Sequence, residues 1–294
     1  MSRFANLPTV WSNGLLGVLL AIHLYEGQAT LEPLPLILIG LALSCLYLGG
    51  CFFNDWHDVA FDEKTRPDRP IPSGRWDRRT VLLLASALMT SGLVLGLIVS
   101  LPAGLFAVGI IACILSYTRW HKRHPLSFFF MAGARALIYP MAAFSLVTWE
   151  EFPTPPNDPW FVFPLYGLGL GCYILGISLT ARAETSAHPG TDARKKLPVA
   201  LLCAPILFFS GPFLALNQGM ALPPLLLFIA VLALIVRSLR ATHNVGTFVS
   251  RTLAAIPLVD FLLVVPLAPE LLWWPLCPAL ALMALGLQKI APAT

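Results

Sequence analysis

Ten runs of apolar residues separated by short polar connections dominate this sequence and decide what it can fold into. They lie near residues 10–25, 34–53, 80–100, 102–118, 127–148, 159–180, 197–216, 222–239, 247–267 and 271–290. About 20 apolar residues is the length that crosses the hydrocarbon core as a helix, and inside that core a backbone satisfies its own hydrogen bonds only as a helix or a closed barrel. Of the 294 residues 57% are hydrophobic and 12% charged, about half the charged fraction of a soluble domain. Too little polar surface is left to cover these runs in water. The expectation is an all-α polytopic membrane protein, a single membrane-embedded domain over residues 1–294. A water-soluble enzyme and a collagen-like, disordered or disulfide-stapled chain are excluded.

Charge placement gives an independent reading of the same spans, because cytoplasmic loops accumulate Lys and Arg. With Arg3 inside, alternate loops hold Lys64 to Arg79, then Arg119, Lys122 and Arg123, then Arg182 to Lys196, then Arg237 and Arg240, and Lys289 ends the chain inside. The opposite loops carry Glu26, Glu32, Glu150, Glu151, Asp158 and Glu270, with no Lys or Arg. This segregation predicts an integral protein of the cell membrane with both ends and the long motif-bearing loop on the cytoplasmic side. The first run reads as a first transmembrane helix rather than a cleaved signal. A net charge of +4, dispersed along the chain, argues against nucleic acid as a partner. The six cysteines lie in or beside apolar runs with no metal-ligand spacing and read as small core residues.

Chemistry concentrates after the second run, in Asn54-Asp55-Trp56-His57-Asp58-Val59-Ala60-Phe61-Asp62. If the helix continues into it, Asn54, Asp58 and Asp62 fall at i, i+4 and i+8 on one face, with Asp55 beside Asp58. Carboxylates so close repel unless a cation sits among them, and an all-oxygen set suits Mg²⁺, which shares its shell between one or two carboxylates and substrate phosphates. The bland alternative is a solvated acidic helix end, but Asn54 and Asp55 directly abut the apolar run, where uncompensated acids are costly. Lys64, Arg66, Arg69 and Arg75 follow, with prolines 67, 70 and 72 fixing the path. Guanidinium groups that fork onto phosphate oxygens next to metal-holding acids make a diphosphate site.

In this loop the sequence resembles the UbiA superfamily of membrane prenyltransferases. The family's first motif, NDxxDxxxD, is matched by Asn54, Asp55, Asp58 and Asp62, and its Arg-Pro segment by Arg69-Pro70-Ile71-Pro72-Ser73-Gly74. Tyr117 with Lys122 resembles a Tyr and a basic residue that face the diphosphate in the family. The resemblance implies a UbiA-like helical barrel of nine to ten transmembrane helices around a central cavity. It implies transfer of an isoprenoid group from a prenyl diphosphate to an aromatic or other lipophilic acceptor, dependent on Mg²⁺. Asp55, Asp58 and Asp62 would be the catalytic and metal-holding residues, with Glu184 as a further ligand. Asn54, Arg66, Arg69, Tyr117, Lys122, Arg135, Arg182 and His188 would bind substrate.

Two departures stand out. The family commonly has nine transmembrane helices against ten runs here. Its second acidic motif, DxxxD, falls where this chain has Glu184 and His188, and an imidazole is a poor Mg²⁺ ligand. That erosion resembles an outlying branch of the superfamily, the one found in Ebo-type metabolite-export gene clusters. It leaves an alternative: a non-catalytic or transport-associated protein of the same fold that binds lipid diphosphate. Phosphotransferases acting on nucleotide-activated alcohols also use spaced intramembrane acids, but their Gly-x3-Asp-x3-Asp pattern is missing. Ionisable groups within spans are functional candidates by default. Arg135 is expected either on a bound diphosphate or paired with an acid of the motif loop, and Asp260 in a structural pair or an aqueous crevice. Of His23, His57, His121, His124 and His243 only His57, inside the motif, reads as a site candidate; the others read as loop or interface residues. Oligomeric state, acceptor identity and prenyl chain length are not encoded in these patterns.

Overall fold

The structure, a computed structural model, describes residues 3–25, 32–121, 124–147, 162–185, 192–215, 219–268 and 273–290, and the described residues are helical and without strands. A 3₁₀ turn, Arg3–Asn6, leads into α1 (Leu7–Leu24), followed by α2 (Pro33–His57), the short α3 (Val59–Thr65), α4 (Arg78–Val99) and α5 (Leu101–Trp120). Then come α6 (Phe128–Ala136), α7 (Ile138–Ala143), α8 (Val162–Thr185), α9 (Asp192–Pro205), a π-helical turn Ile206–Ser210 and α10 (Gly211–Ala215). The chain closes with α11 (Leu222–Thr242), α12 (Val245–Ala254), α13 (Ile256–Leu267) and α14 (Leu276–Ile290).

Among the described residues seven helical stretches are long and apolar enough to cross a membrane: Arg3–Leu24, Pro33–His57, Arg78–Val99, Leu101–Trp120, Val162–Ala181, Gly219–Thr242 and Val245–Leu267. Three shorter apolar helices, Phe128–Ala143, Leu197–Ser210 and Leu276–Ile290, fall on the remaining runs. The interruptions have covalent causes. Pro140 and Pro257 lack the N–H that would bond the carbonyls of Ala136 and Leu253, so one run divides at Leu137 between α6 and α7, and another at Ala255 between α12 and α13. Sequence signals also set the ends. Pro sits in the first turn of α1, α2 and α5, where its missing donor costs nothing. Asp77 caps α4 by accepting from the Thr80 N–H at 3.0 Å, and that hydrogen bond holds its carboxyl below the usual carboxylate range.

α1 and α13 form the middle of the bundle. α1 packs on α2, α7, α13 and α14, and ten consecutive residues of α13, Ile256 to Val265, are buried. Lipid-facing surfaces carry the exposed large side chains, among them Leu83 and Ile98 on α4, Leu105 on α5, Leu226 and Leu234 on α11 and Leu282 on α14. In a bilayer such exposure is the solvated state of an apolar residue.

Close approach of α1 to α7 depends on Gly17. A Cβ there would lie 2.4 Å from the Tyr139 carbonyl oxygen and 2.9 Å from Ala142 Cβ. Gly40, by contrast, has nothing within 4 Å of that position. Gly17→Ala is therefore expected to lower the thermal unfolding midpoint of the detergent-solubilised protein, with an overpacking cost of about 1–3 kcal/mol. Gly40→Ala in the same helix bundle should leave the midpoint unchanged or raise it, since Ala is the better helix former by about 1 kcal/mol. Equal midpoints for the two variants would contradict this account of the α1–α7 contact.

Candidate diphosphate site

α2 does continue into the acidic segment. It ends at His57, and Asp58, still in a right-handed helical conformation, joins it to α3. The i to i+4 ladder survives the junction: the Asp58 N–H donates to the Asn54 carbonyl at 3.0 Å and the Asp62 N–H to the Asp58 carbonyl at 2.9 Å. Asn54, Asp58 and Asp62 are thereby stacked on one side, with Asp55 adjacent. All four are buried, between 3% and 7% exposed, so this is not a solvated acidic helix end.

Compensation comes from the loop that follows. Arg69 donates from Nη1 to Asp62 Oδ2 at 2.8 Å and stands 3.5 Å from Asp55 Oδ1. The loop closes with hydrogen bonds from the Ser73 N–H to the Arg69 carbonyl and from the Trp76 N–H to the Pro70 carbonyl. Gly74, at φ +73°, takes the left-handed position that the turn requires. Arg75 donates to the Asp68 carbonyl and to Ser73 Oγ. The start of α4 is drawn over the motif by Arg78, whose guanidinium lies 5.2 Å from the Trp56 ring, itself packed on Phe53. A small cavity remains between Asp55, Asp62, Arg69 and the Pro70–Pro72 segment.

Asp58 faces two imidazoles. His57 Nδ1 is 3.5 Å from Oδ1, and His121 Nε2, from the end of α5, is 3.4 Å from Oδ2. His121 Nδ1 lies 2.9 Å from the Thr118 carbonyl oxygen, and its ring stacks on Tyr117 at 5.2 Å. Because a carbonyl oxygen only accepts, Nδ1 carries the proton in that contact, and donation from Nε2 to Asp58 requires the protonated ring. His121 was not legible as a site residue, since no local spacing links it to Asp58; only the packing of α5 on α2 does so. Tyr117, expected here, reaches the site through that stack.

The donor set fits Mg²⁺ by chemistry: carboxylate oxygens together with the Asn54 Oδ1, which is buried without a hydrogen-bond partner. Among the described residues no three His, Cys, Asp or Glu side chains converge tightly enough to form a closed cage. One or two carboxylates plus substrate phosphate oxygens is the usual Mg²⁺ arrangement, and these residues can supply that number. Arg66 is exposed at the end of α3. Lys122 and His188 lie outside the described residues. Arg182 and Glu184 fall on α8, but their side chains also lie outside what is described.

Arg135 pairs with no acid of the motif loop. It donates from Nη1 to Asn13 Oδ1 and from Nη2 to Thr9 Oγ1, both at 3.0 Å, with its guanidinium 5.6 Å from the Tyr47 ring. Asp260 is fully buried and accepts from Ser12, Asn13 and Tyr139, a structural network rather than an aqueous crevice. Separately, an apolar cavity of about 520 Å³ runs between α5, the α6–α7 segment and α8, lined by residues including Phe106, Phe129, Leu137, Phe163 and Leu175.

These features coincide with known proteins. The chain is 36% identical over 115 residues to the digeranylgeranylglyceryl phosphate synthase of Pyrococcus abyssi, 39% of this chain and 40% of that protein. It is 31% identical over 144 residues to the protoheme IX farnesyltransferase of Synechocystis sp., 48% of this chain and 44% of that protein. The alignments thus span less than half the length of these curated relatives. A solved structure described as the apo structure of a UbiA homolog from Aeropyrum pernix K1 superposes with a TM-score of 0.60 at 15% identity, covering 98% of this chain and 97% of that one. A second, from work on digeranylgeranylglyceryl phosphate synthase in membranes, superposes with a TM-score of 0.58 at 15% identity, over 97% and 98%. At such identity the likeness is one of fold. The sequence model of the UbiA prenyltransferase family matches residues 14–252, from the middle of α1 through α12 and across the whole acidic motif; this integral membrane protein belongs to the UbiA prenyltransferase family.

Proposed function

We propose that the protein transfers an isoprenoid group from a prenyl diphosphate to an aromatic or other lipophilic acceptor within the membrane, with Mg²⁺ as cofactor. The observation that carries this reading is the buried stack of Asn54, Asp58 and Asp62 with Asp55 beside it and Arg69 laid across the acids. So many carboxylates at the end of a membrane helix hold together only around cations, and a metal-bound diphosphate brings them. Asp55, Asp58 and Asp62, with Glu184, would hold Mg²⁺, which when bound neutralises the leaving diphosphate. Arg69 has further N–H donors for phosphate oxygens, and Arg66, Lys122, Arg182 and His188 would add charge and donors from neighbouring segments. Tyr117 and His121 close the side formed by α5.

In the reaction the bond between the allylic carbon and oxygen breaks, and its electron pair leaves with the diphosphate. The acceptor's nucleophilic atom then forms the new bond to that carbon and loses a proton to a motif carboxylate or to the released diphosphate. The surrounding spans keep water from the allylic cation, as transfer rather than hydrolysis requires. The apolar cavity between α5 and α8 lies within the size range of ligand sites and suits an isoprenoid chain. The segregation of basic loops supports the cell membrane as location, with the motif on the cytoplasmic side.

Diphosphate release from geranylgeranyl diphosphate by the purified protein in lipid nanodiscs, supplied with a lipid acceptor, tests this reading. Asp58→Asn is expected to lower turnover about 10²–10³-fold without changing the unfolding midpoint, and omission of Mg²⁺ should have the same effect. Release that is indifferent to both would overturn it. Prenyl diphosphate bound without any release would instead favour the non-catalytic, transport-associated alternative raised by Glu184 and His188.

Arg69→Lys separates a fork from a point charge. A lysine ammonium keeps the charge but cannot span two carboxylates and a phosphate. The expected outcome is a rise of about tenfold in KM for the prenyl diphosphate, read from initial rates, with a smaller change in kcat.

A further inference from the structure

Arg135 and Asp260 form a second polar centre well below the first. Tyr47, over whose ring the Arg135 guanidinium lies, precedes Asp55 by eight residues of α2, roughly 12 Å along a helix axis at 1.5 Å per residue. At that depth a guanidinium has no bulk water to neutralise it and needs its surroundings arranged for it.

The arrangement is directional. Asp260 Oδ2 accepts from Ser12 Oγ at 2.6 Å and Asn13 Nδ2 at 2.8 Å, and Oδ1 accepts from the Tyr139 hydroxyl at 2.8 Å. A carboxylate only accepts, so Asn13 is forced to present its amide nitrogen to Asp260 and its oxygen to the other side. There it accepts from Arg135 Nη1 at 3.0 Å. Thr9 is oriented in the same sense: its hydroxyl donates to the Asn6 carbonyl at 2.7 Å, which leaves a lone pair for Arg135 Nη2. The acid is thus sealed, with 0% exposure and three donors, whereas Arg135 is only partly buried as a residue and its guanidinium uses two of its five N–H donors. A structural pair would spend both charges on each other. Here Asp260 acts on Arg135 only through Asn13, and the charge that is left with unused donors is the positive one.

We infer that Arg135 is an oxyanion-binding residue inside the membrane, deeper than the aspartate site, and that Asp260, Asn13 and Tyr139 are positioning residues that hold its fork in place. The ligand chemistry is a phosphate or carboxylate borne by a lipid. It comes either from the acceptor, which is then an anionic lipid, or from the prenyl diphosphate itself. The inference rests on the reading of the aspartate site as the place of the prenyl diphosphate.

The experiment measures binding of two probes to the detergent-solubilised full chain: geranylgeranyl diphosphate with Mg²⁺, and a geranylgeranyl glyceryl phosphate. Unfolding midpoints are recorded in parallel. Arg135→Gln is expected to weaken one of the two probes at least tenfold, and Asn13→Ala, which keeps both charges, to weaken the same probe in the same direction. Loss confined to the glyceryl phosphate assigns the site to the acceptor, and loss confined to the diphosphate assigns it to the donor. Neutralising Asp260 alone leaves an unpaired cation and endangers folding, so the pair Arg135→Gln with Asp260→Asn is the decisive variant. It should restore the wild-type midpoint but not the lost binding. Wild-type affinity for both probes in that double variant, or in Arg135→Gln, would overturn the inference. Asp58→Asn serves as the separate control: retained diphosphate binding there defeats the aspartate-site reading, and no Arg135 variant bears on that result.

Discussion

Three carboxylates and a carboxamide are packed where a membrane helix reaches the bilayer edge, and much of this structure is arranged around keeping them there. Asp55 lies in the last turn of α2 and Asp58 caps it. The partial negative charge of that helix end disfavours acids, by about 0.3–1 kcal/mol each even when exposed. Mutual repulsion and burial add to the cost. Arg69 from the loop brings a guanidinium to Asp62 and Asp55, and the imidazoles of His57 on α2 and His121 at the end of α5 face Asp58. The prolines, the left-handed Gly74 and the packing of Arg78 on Trp56 restrict the loop so that Arg69 is delivered to the acids. A site so dependent on positive partners is one that a metal-bound diphosphate can complete.

The bundle handles its second polar centre differently. Around Asp260 the compensation is a set of neutral donors, and among the described residues no basic group lies within salt-bridge distance of it. Proline-induced breaks bracket this centre. Arg135 and Tyr139 straddle the one at Leu137 yet remain four residues apart on one face, so Arg135 reaches Thr9 and Asn13 on α1 while Tyr139 reaches Asp260 on α13. Asp260 follows the break at Ala255 by little more than a turn. The proline-interrupted stretches Phe128–Ala143 and Val245–Leu267 thus meet at this centre against α1.

What could be read from the chain beforehand follows the range of the interactions. Asn54, Asp58 and Asp62 were legible as one stack because their relation needs only the i, i+4 rule, and the ladder continues through Asp58 as that rule demands. Arg69 was legible because a proline-stiffened loop seven residues on has few places to go. His121 was not, since its contact with Asp58 depends on how α5 lies against α2, and spacing encodes nothing of that. Arg135 and Asp260 stood out as charges in apolar runs, but the sequence did not name the residues they bond to. The acids of the motif loop seemed nearest in sequence logic, whereas the actual partners, Thr9 and Asn13, are uncharged residues of α1 that carry no signal in a hydropathy reading. The apolar runs located the helices because bilayer thickness constrains length directly. The division into α6 and α7 was hidden, because a proline marks a break only when packing makes use of it.

The two centres also explain why such a protein places its charges at different depths. Chemistry that separates an allylic cation from a diphosphate needs opposite surroundings for the two fragments: charge-stabilising groups for one and water-free surroundings for the other. Asp55, Asp58, Asp62 and Arg69 cluster at the edge, where a released diphosphate can pass into water. Deeper in, the carboxylate of Asp260 is enclosed by Ser12, Asn13 and Tyr139, so it offers no exposed nucleophile or base to a passing cation. Were Asp260 only partly buried, as Arg135 is, it could offer an allylic cation an oxygen nucleophile, and capture would compete with transfer. With the acid enclosed and the partly buried guanidinium unable to attack carbon while protonated, the interior would be polar enough to orient an anionic group, as inferred for Arg135, and would offer an allylic cation no oxygen nucleophile at Asp260.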